Sequence, residues 1–292
     1  MMKQQWDKVT IIGCGLIGAS FALALKRAAA CRVVAGWDTS ASTLDEAIAR
    51  GVIDEVDEAF SAEAVYTTAS TADLIYLAMP VAGIIRFLSE RGGQIKRGAV
   101  VTDAGSTKAL VCRAARAGLP EGRSFIGGHP VAGSHLRGLE HASADLFRDA
   151  PYALIAGEDQ DESEALVTLK ETLSLLGARV VLMTADEHDR ALAFVSHLPQ
   201  IVSSAIAAVV NSQPDALALN RLSGAGYRDM TRLAASSWSV WRDILATNSS
   251  HIATALDLLI EKLAAARDEL HQHSGRDELS ALGGLFEDSR RQ

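Results

Sequence analysis

The chain is short of the residues that most often signal special architecture. It has three cysteines in 292 residues, too few for a disulfide framework and odd in number. Cys14, Cys31 and Cys112 are scattered and have no metal-ligand spacing. No metal site is expected, and the thiols read as reduced, in a cytoplasmic protein. Positive charge is also scarce. Lys and Arg total 28 against 36 Asp and Glu, for a formal net charge of -8. With no dense basic cluster, nucleic acid is not expected as a partner. No uninterrupted apolar run approaches the roughly 20 residues of a membrane span. The opening stretch MMKQQWDKVTIIG lacks the layout of a signal peptide, so no membrane attachment is expected. Repeats of solenoid period and low-complexity tracts are missing too. What remains is 48% hydrophobic with a mean hydropathy of +0.12, enough for a sizeable core, and the length suits two ordinary domains or one large one.

The first part of the chain alternates strand and helix. KVTIIG is a β-branched run ending in glycine, and LIGASFALALKRA has helical apolar spacing. CRVVAGWD is a second strand, followed by the short helix STLDEAIARG with Ser42 as cap and Gly51 as stop. DLIYLAMP, AVVTDAG, SFIGG, PYALIAG and ARVVLMT continue the strand series, and STKALVCRAARAG and ESEALVTLKETLSLLG supply helices. Such alternation implies a Rossmann-type, doubly wound α/β fold with a mainly parallel sheet. The pattern changes at TADE, a capping-box signal with Thr184 as cap and Glu187 three residues on. Long alanine- and leucine-rich helical stretches follow. The expected domains are therefore 1–184, α/β, and 185–292, all-helical. The last residues are polar at both ends and read as partly disordered.

GCGLIG places Gly13, Gly15 and Gly18 in the G-x-G-x-x-G pattern, between a strand and a helix. In that context it is the dinucleotide fingerprint. Gly13 permits a tight turn, Gly15 lets backbone approach a pyrophosphate, and Gly18 lets helix and strand lie close. Leu16 and Ile17 complete the segment at the helix N-terminus, which attracts phosphates. Asp38 lies twenty residues beyond Gly18, at the end of the second strand. There it can accept hydrogen bonds from both ribose hydroxyls and repel a 2′-phosphate. The following TSAST offers no cation for such a phosphate, so the cofactor reads as NAD. A helix cap is the plainer role for Asp38.

Three stretches are left unexplained by folding. In VVTDAGSTK, Ser106 closes a strand and is also placed to cap the next helix. In FIGGHPVAGSHLRG, His129 sits between Gly127-Gly128 and Pro130 in what reads as a rigid loop at the carboxyl edge of the sheet, where ligands bind. A histidine so fixed is a candidate for a positioned base, whereas an ordinary loop histidine is merely solvated. In SHLPQ, His197 lies in an apolar helix two residues before a helix-kinking Pro199. Alone it reads as a hydrogen-bonded core histidine.

Taken in order, GCGLIG, TDAGSTK, GGHPVAGS, SHLPQ and GYRDMTRLAASSWSVWRDI resemble the prephenate/arogenate dehydrogenase family, from about Val9 to Leu270. The resemblance implies an NAD(P)-binding domain, a helical dimerisation domain and an active site in the cleft between them. It also implies oxidative decarboxylation of prephenate to 4-hydroxyphenylpyruvate, or of arogenate to tyrosine. His129 is then the base at the substrate hydroxyl, and Ser106 orients it and touches the same hydroxyl. His197 lines the pocket, and Arg232 binds a substrate carboxylate. A planar guanidinium suits that task, although a surface helix arginine is the default otherwise. Arg228 is expected to pair with Asp229 or Asp243. Trp241 packs near the site or simply in the core. Ser134 hydrogen-bonds substrate or caps its loop.

His135 stands where many members of that family carry an acid. An ammonium, as in arogenate, needs a nearby carboxylate. A histidine favours the neutral keto group of prephenate, which makes prephenate the expected substrate. The chain leaves no room for a regulatory or mutase domain, so tyrosine inhibition is expected at the active site. β-Hydroxyacid dehydrogenases also join a Rossmann domain to a helical one, but they use a lysine on the helical part. Residues 184–215 contain none. A non-catalytic NAD-binding regulator would need neither His129 nor Arg232. Finally, FVSHLPQIVSSAIAAVV is apolar nearly all round and IATALDLLIEKLAAA carries a broad apolar stripe. These predict a homodimer joined through residues after 184.

Overall fold

A computed structural model of the chain describes residues 5–61, 70–132, 138–156, 163–272 and 279–290. They form two compact units, Met1–Asp189 with Ser236–Thr247, and Arg190–Ala235 with Asn248–Gln292. The division differs from a single cut after residue 184 because Ser236–Thr247 belongs with the first unit.

In the first unit, β1 (Trp6–Ile12), α1 (Leu16–Arg27), β2 (Cys31–Trp37), α2 (Ala41–Ala49) and a two-residue β3 (Glu55–Val56) open the chain. β4 (Leu74–Leu77), α3 (Val81–Arg91), β5 (Val100–Asp103), α4 (Ala109–Gly118) and β6 (Ser124–Ile126) follow. These six strands pair in parallel in the order β3-β2-β1-β4-β5-β6, the doubly wound Rossmann arrangement. Successive residues of a strand point to opposite faces, and β4 shows the result. Leu74 and Tyr76 join the core that includes Phe21 and Leu25 of α1. Ile75 and Leu77 join the core that includes Ile84 and Leu88 of α3. Both faces are covered, so a run of four apolar residues is what this strand requires.

The sequence reading missed α3 and the edge strand β3, which is too short to carry a periodic signal. The cap of α2 is also corrected. Ser40, not Ser42, is the N-cap, and its side chain accepts from Thr43 N.

GHP is not a loop. Gly128–Pro130 forms β7, which pairs antiparallel with β8 (Pro151–Ile155). β8 in turn runs parallel to β9 (Arg179–Met183), across the connecting helix α5 (Glu164–Leu175). The carboxyl end of the domain is therefore a separate three-stranded sheet, β7-β8-β9. It is tied to the large one through Tyr152 OH, which donates to Tyr76 OH at 3.2 Å. Burial pushes both phenols above their ordinary pKa.

The capping box at Thr184 forms as expected. Glu187 Oε2 accepts from Thr184 N at 2.8 Å, and Thr184 Oγ1 accepts from Glu187 N at 3.2 Å. α6 (Ala185–Leu192) starts there, passes through a π turn at Ala193–His197 and continues as α7 (Leu198–Asn211). The turn is where a proline kink was expected. Pro199 has no N–H, and in a regular helix its ring would crowd the carbonyl four residues back. One widened turn, with Leu198 N donating to Ala193 O, is the local answer. Residues 185–211 are by length and composition apolar enough to cross a bilayer, and only 22% of the most apolar window is buried within the chain. The helices α8 (Ala216–Arg221), α9 (Ala225–Thr231), α10 (Trp238–Thr247), α11 (Ser249–Gln272) and α12 (Ser280–Asp288) follow. α10 belongs to the first unit and the other four to the second. α12 occupies a tail that the sequence reading left partly disordered.

Candidate active site

The glycine turn behaves as its spacing predicts. Gly13 has φ +95°, and a Cβ there would run into the carbonyl of Ala78. A Cβ on Gly18 would lie 2.8 Å from Ile11 Cγ2, so only glycine lets α1 pack on β1. Gly15 is different, because a Cβ there would meet nothing. It leaves open space in front of a helix end that no side chain caps, and Leu16 and Ile17 begin that helix. Unpaired N–H groups at a helix N-terminus facing open space suit a pyrophosphate. Asp38, half-buried at the end of β2, is not the cap of α2. Its Oδ2 accepts from Cys14 N and its Oδ1 from Ser40 N, both at 2.9 Å. The carboxylate thus ties the glycine turn to the second strand, and each oxygen keeps a lone pair for a ribose hydroxyl. These residues fit an adenine dinucleotide.

His129 lies in β7, opposite Ala153, and is 9% exposed. The backbone on its N-terminal side is held hard. Gly128 N donates to Asp103 Oδ1 at 3.0 Å, and Gly128 O accepts from Lys108 Nζ at 2.6 Å. Lys108 and Asp103 also form an ion pair with both side chains fully buried. Removing either partner would leave an uncompensated charge. A Cβ on Gly128 would come within 2.6 Å of Asp103 O, which explains the second glycine of the pair.

Ser106 was expected to orient His129, and the contact seen at His129 Nδ1 is with His188. His129 Nδ1 lies 2.8 Å from His188 Nε2, and His188 Nδ1 lies 2.8 Å from Asp189 Oδ1. Nor does Ser106 cap α4. Lys108 N and Ala109 N donate instead to the carboxylate of Asp189, at 2.7 and 2.8 Å. Ser106 is half-buried in the bend after β5. The neighbouring Thr107 Oγ1 lies 2.8 Å from Thr247 Oγ1 at the end of α10, the helix that also carries the half-buried Trp241. Trp241 therefore belongs with the first unit rather than with the helical one.

His188 and Asp189 were missed by the sequence reading. A signal was present, because each lies four residues before a buried apolar side chain, Leu192 and Ala193. Polar groups on the buried stripe of an amphipathic helix need partners.

In the second unit, His197 is 1% exposed within the π turn. Its Nδ1 accepts from Asn248 Nδ2 at 3.2 Å. Arg232, at the C-cap of α9, is exposed and pairs with no carboxylate among the described residues. Arg228 does not pair with Asp229 or Asp243. It donates to Ser223 O at 3.0 Å, and Asp243 is paired with Arg242. Ser134 and His135 lie outside the described residues.

A G-x-G-x-x-G turn before an uncapped helix, an acid closing the second strand and a fixed, nearly buried imidazole define a dinucleotide-binding α/β protein equipped for proton transfer. Comparison with known proteins narrows the class. Residues 21–182 match the nucleotide-binding domain of prephenate dehydrogenase and residues 184–282 its dimerization domain. The chain belongs to the prephenate dehydrogenase family. It is 34% identical to the prephenate dehydrogenase of Bacillus subtilis over 94% of this chain and 73% of that one. Among solved structures it is similar to the prephenate dehydrogenase from A. aeolicus in complex with hydroxyphenyl propionate and NAD+. That match has TM-score 0.86 and 27% identity, and covers 97% and 96% of the two chains. It is also similar to Synechocystis arogenate dehydrogenase, with TM-score 0.79 and 28% identity over 97% of each chain.

Proposed function

We propose that the protein is an NAD-dependent prephenate dehydrogenase that oxidatively decarboxylates prephenate to 4-hydroxyphenylpyruvate in tyrosine biosynthesis. The observation that carries this reading is the imidazole of His129, fixed between the pinned backbone of Gly128 and the side chain of His188. The nucleotide-binding part is assigned to residues 1–184 and the dimerisation part to 185–292. NAD would lie along Gly13, Gly15, Leu16, Ile17 and Gly18 with its ribose on Asp38, and when bound it supplies the hydride acceptor. His129 removes the proton of the 4-hydroxyl and Ser106 hydrogen-bonds the same oxygen. As the C4–H electrons leave as hydride, the ring carboxylate departs as carbon dioxide and the ring becomes aromatic. Arg232 holds a substrate carboxylate, while His197, Trp241 and Ser134 line the substrate. A neutral base of this kind is worth about 10²–10⁴-fold.

The enzyme works as a homodimer through its helical unit. Its three free thiols fit a reducing compartment, the cytoplasm. The test is direct: purified protein, NAD and prephenate, with NADH formation followed by absorbance. Turnover is expected, and none with a folded, NAD-binding protein overturns the reading.

Likeness to an arogenate dehydrogenase makes arogenate the second substrate to assay. His135, placed by sequence just after Ser134, favours the keto substrate. Prephenate is therefore expected to give the higher kcat/KM, and His135→Glu to move the ratio toward arogenate.

A further inference from the structure

We propose that His188 and Asp189 are positioning residues that hold His129 in the one tautomer able to accept a proton from substrate. The proposal rests on the reading of His129 as the base. It starts from Asp189, which is 1% exposed. Backbone N–H groups can only donate, so Oδ1 accepts from Lys108 N and Oδ2 from Ala109 N. Toward a ring nitrogen at hydrogen-bond distance a carboxylate oxygen is the acceptor. The nitrogen that faces it at 2.8 Å, His188 Nδ1, therefore carries a hydrogen. Neutral His188 then has its lone pair on Nε2, which faces His129 Nδ1 at 2.8 Å. His129 Nδ1 must carry the next hydrogen, and the lone pair of His129 is left on Nε2. One buried carboxylate thus sets two tautomers in series.

The same chain acts after proton transfer. When Nε2 takes the hydroxyl proton, the imidazolium still donates from Nδ1 to His188. Its charge faces the Asp189 carboxylate through one neutral ring. The two rings meet edge to face, with centroids 5.1 Å apart and planes at 69°. His188 is 0% exposed, so the chain is not short-circuited by water there. Among the described residues, the ionisable groups on the neighbouring elements have partners of their own. Lys108 and Asp103 neutralise each other beside Gly128. Tyr152 on the neighbouring strand is held in its neutral form by burial and pairs with Tyr76.

The arrangement also explains why Asp189 spans two elements. It ties the start of α4 to α6, so the turn carrying Ser106 and the strand carrying His129 share one anchor.

The test uses the full-length enzyme and the variants His188→Leu, His188→Gln and Asp189→Asn, with His129→Asn as reference. Readouts are kcat and kcat/KM against pH, NAD affinity by fluorescence, folding by circular dichroism and the ¹⁵N NMR signature of the His129 ring. His188→Leu is expected to lower kcat by about 10- to 100-fold, part of what a general base supplies, with NAD affinity unchanged. The acid limb of kcat/KM should move to lower pH, because the imidazolium has lost Asp189. Glutamine offers a carbonyl on similar reach, so His188→Gln should recover most of the kcat while the limb stays shifted. In Asp189→Asn the amide NH2 opposes the backbone N–H of Lys108 or of Ala109 in either orientation, so the anchor of His188 is lost and kcat should fall as in His188→Leu. Wild-type His129 should show hydrogen on Nδ1. If His129→Asn is inactive while His188→Leu keeps wild-type kcat and an unmoved limb, the positioning proposal fails and the base reading stands. If His129→Asn keeps its activity, the base reading itself fails. Should the leucine variant not fold, the glutamine variant and the wild-type NMR decide, and a wild-type His129 with hydrogen on Nε2 overturns the proposal.

Discussion

The two units bury different things. In the first, every residue of β4 and β5 is buried, and so are charged and polar groups with assigned partners, among them Lys108, Asp103, His188 and Asp189. In the second, the buried apolar side chains among the described residues are few: Leu192, Ala193, Ile252 and Ala255. Large apolar side chains stand open there, with Leu222 86%, Leu217 82% and Val195 73% exposed. Where exposed apolar side chains join into one patch they mark an interaction surface. The first unit completes its own core and can therefore hold charges in fixed geometry. The second has its helices but not its core, and a second copy of the chain is what our functional reading uses to supply it.

That contrast can be broken from either side. The largest effect is expected in the first unit. His129→Asn should fold and bind NAD yet lose about 10²-fold or more in kcat, measured as steady-state NADH formation. An unchanged kcat removes His129 from the chemistry. Next comes Arg232→Ala in the second unit. It should raise the KM for prephenate with NAD affinity intact, at a cost of about 1.5–3 kcal/mol for a lost charge-assisted pair. An unmoved KM returns Arg232 to an ordinary surface role.

Assembly gives a third comparison. Ile260→Glu combined with Leu263→Glu places charge on an exposed apolar stretch of α11. Light scattering at micromolar concentration should show a dimer in the wild type and dissociation in the variant, while NAD still binds. A monomeric wild type refutes the dimer.

The smallest effect lies at the surface of the first unit. Burial pushes the Asp73 carboxyl up, but Lys96 and the N–H groups of Asp7 and Lys8 outweigh it and hold its pKa below the ordinary 3.8. A lowered carboxylate pKa contributes stability that is complete above the unfolded value and is lost as pH falls through the folded one. Tm should therefore decline below about pH 4. Asp73→Asn should cost no more than about 1 kcal/mol at neutral pH and flatten that decline. A Tm profile identical to wild type in acid would discount the pair.

Local signals were legible where one short stretch settles its own geometry. The Gly13, Gly15 and Gly18 turn, the capping box at Thr184 and the long parallel strands all follow from spacing within a few residues. What escaped depended on partners far along the chain. β7 was read as a loop because a three-residue strand acquires its identity from β8, more than twenty residues later. Ser106 looked like a cap because it is a hydroxyl residue just before a helical stretch, whereas the donors of Lys108 and Ala109 are satisfied from about 80 residues away. His188 was passed over for the same reason. Its role exists only once β7 and α6 are side by side.

The π turn at Ala193–His197 has a consequence for phase. A regular helix advances about 100° per residue, so one extra residue in a turn rotates everything downstream by that amount. Residues 185–192 and 198–211 therefore lie on one rod with two separate angular settings. Deleting the exposed Val195 would merge the two and turn a different stripe of α7 outward, with no bond in the first unit touched.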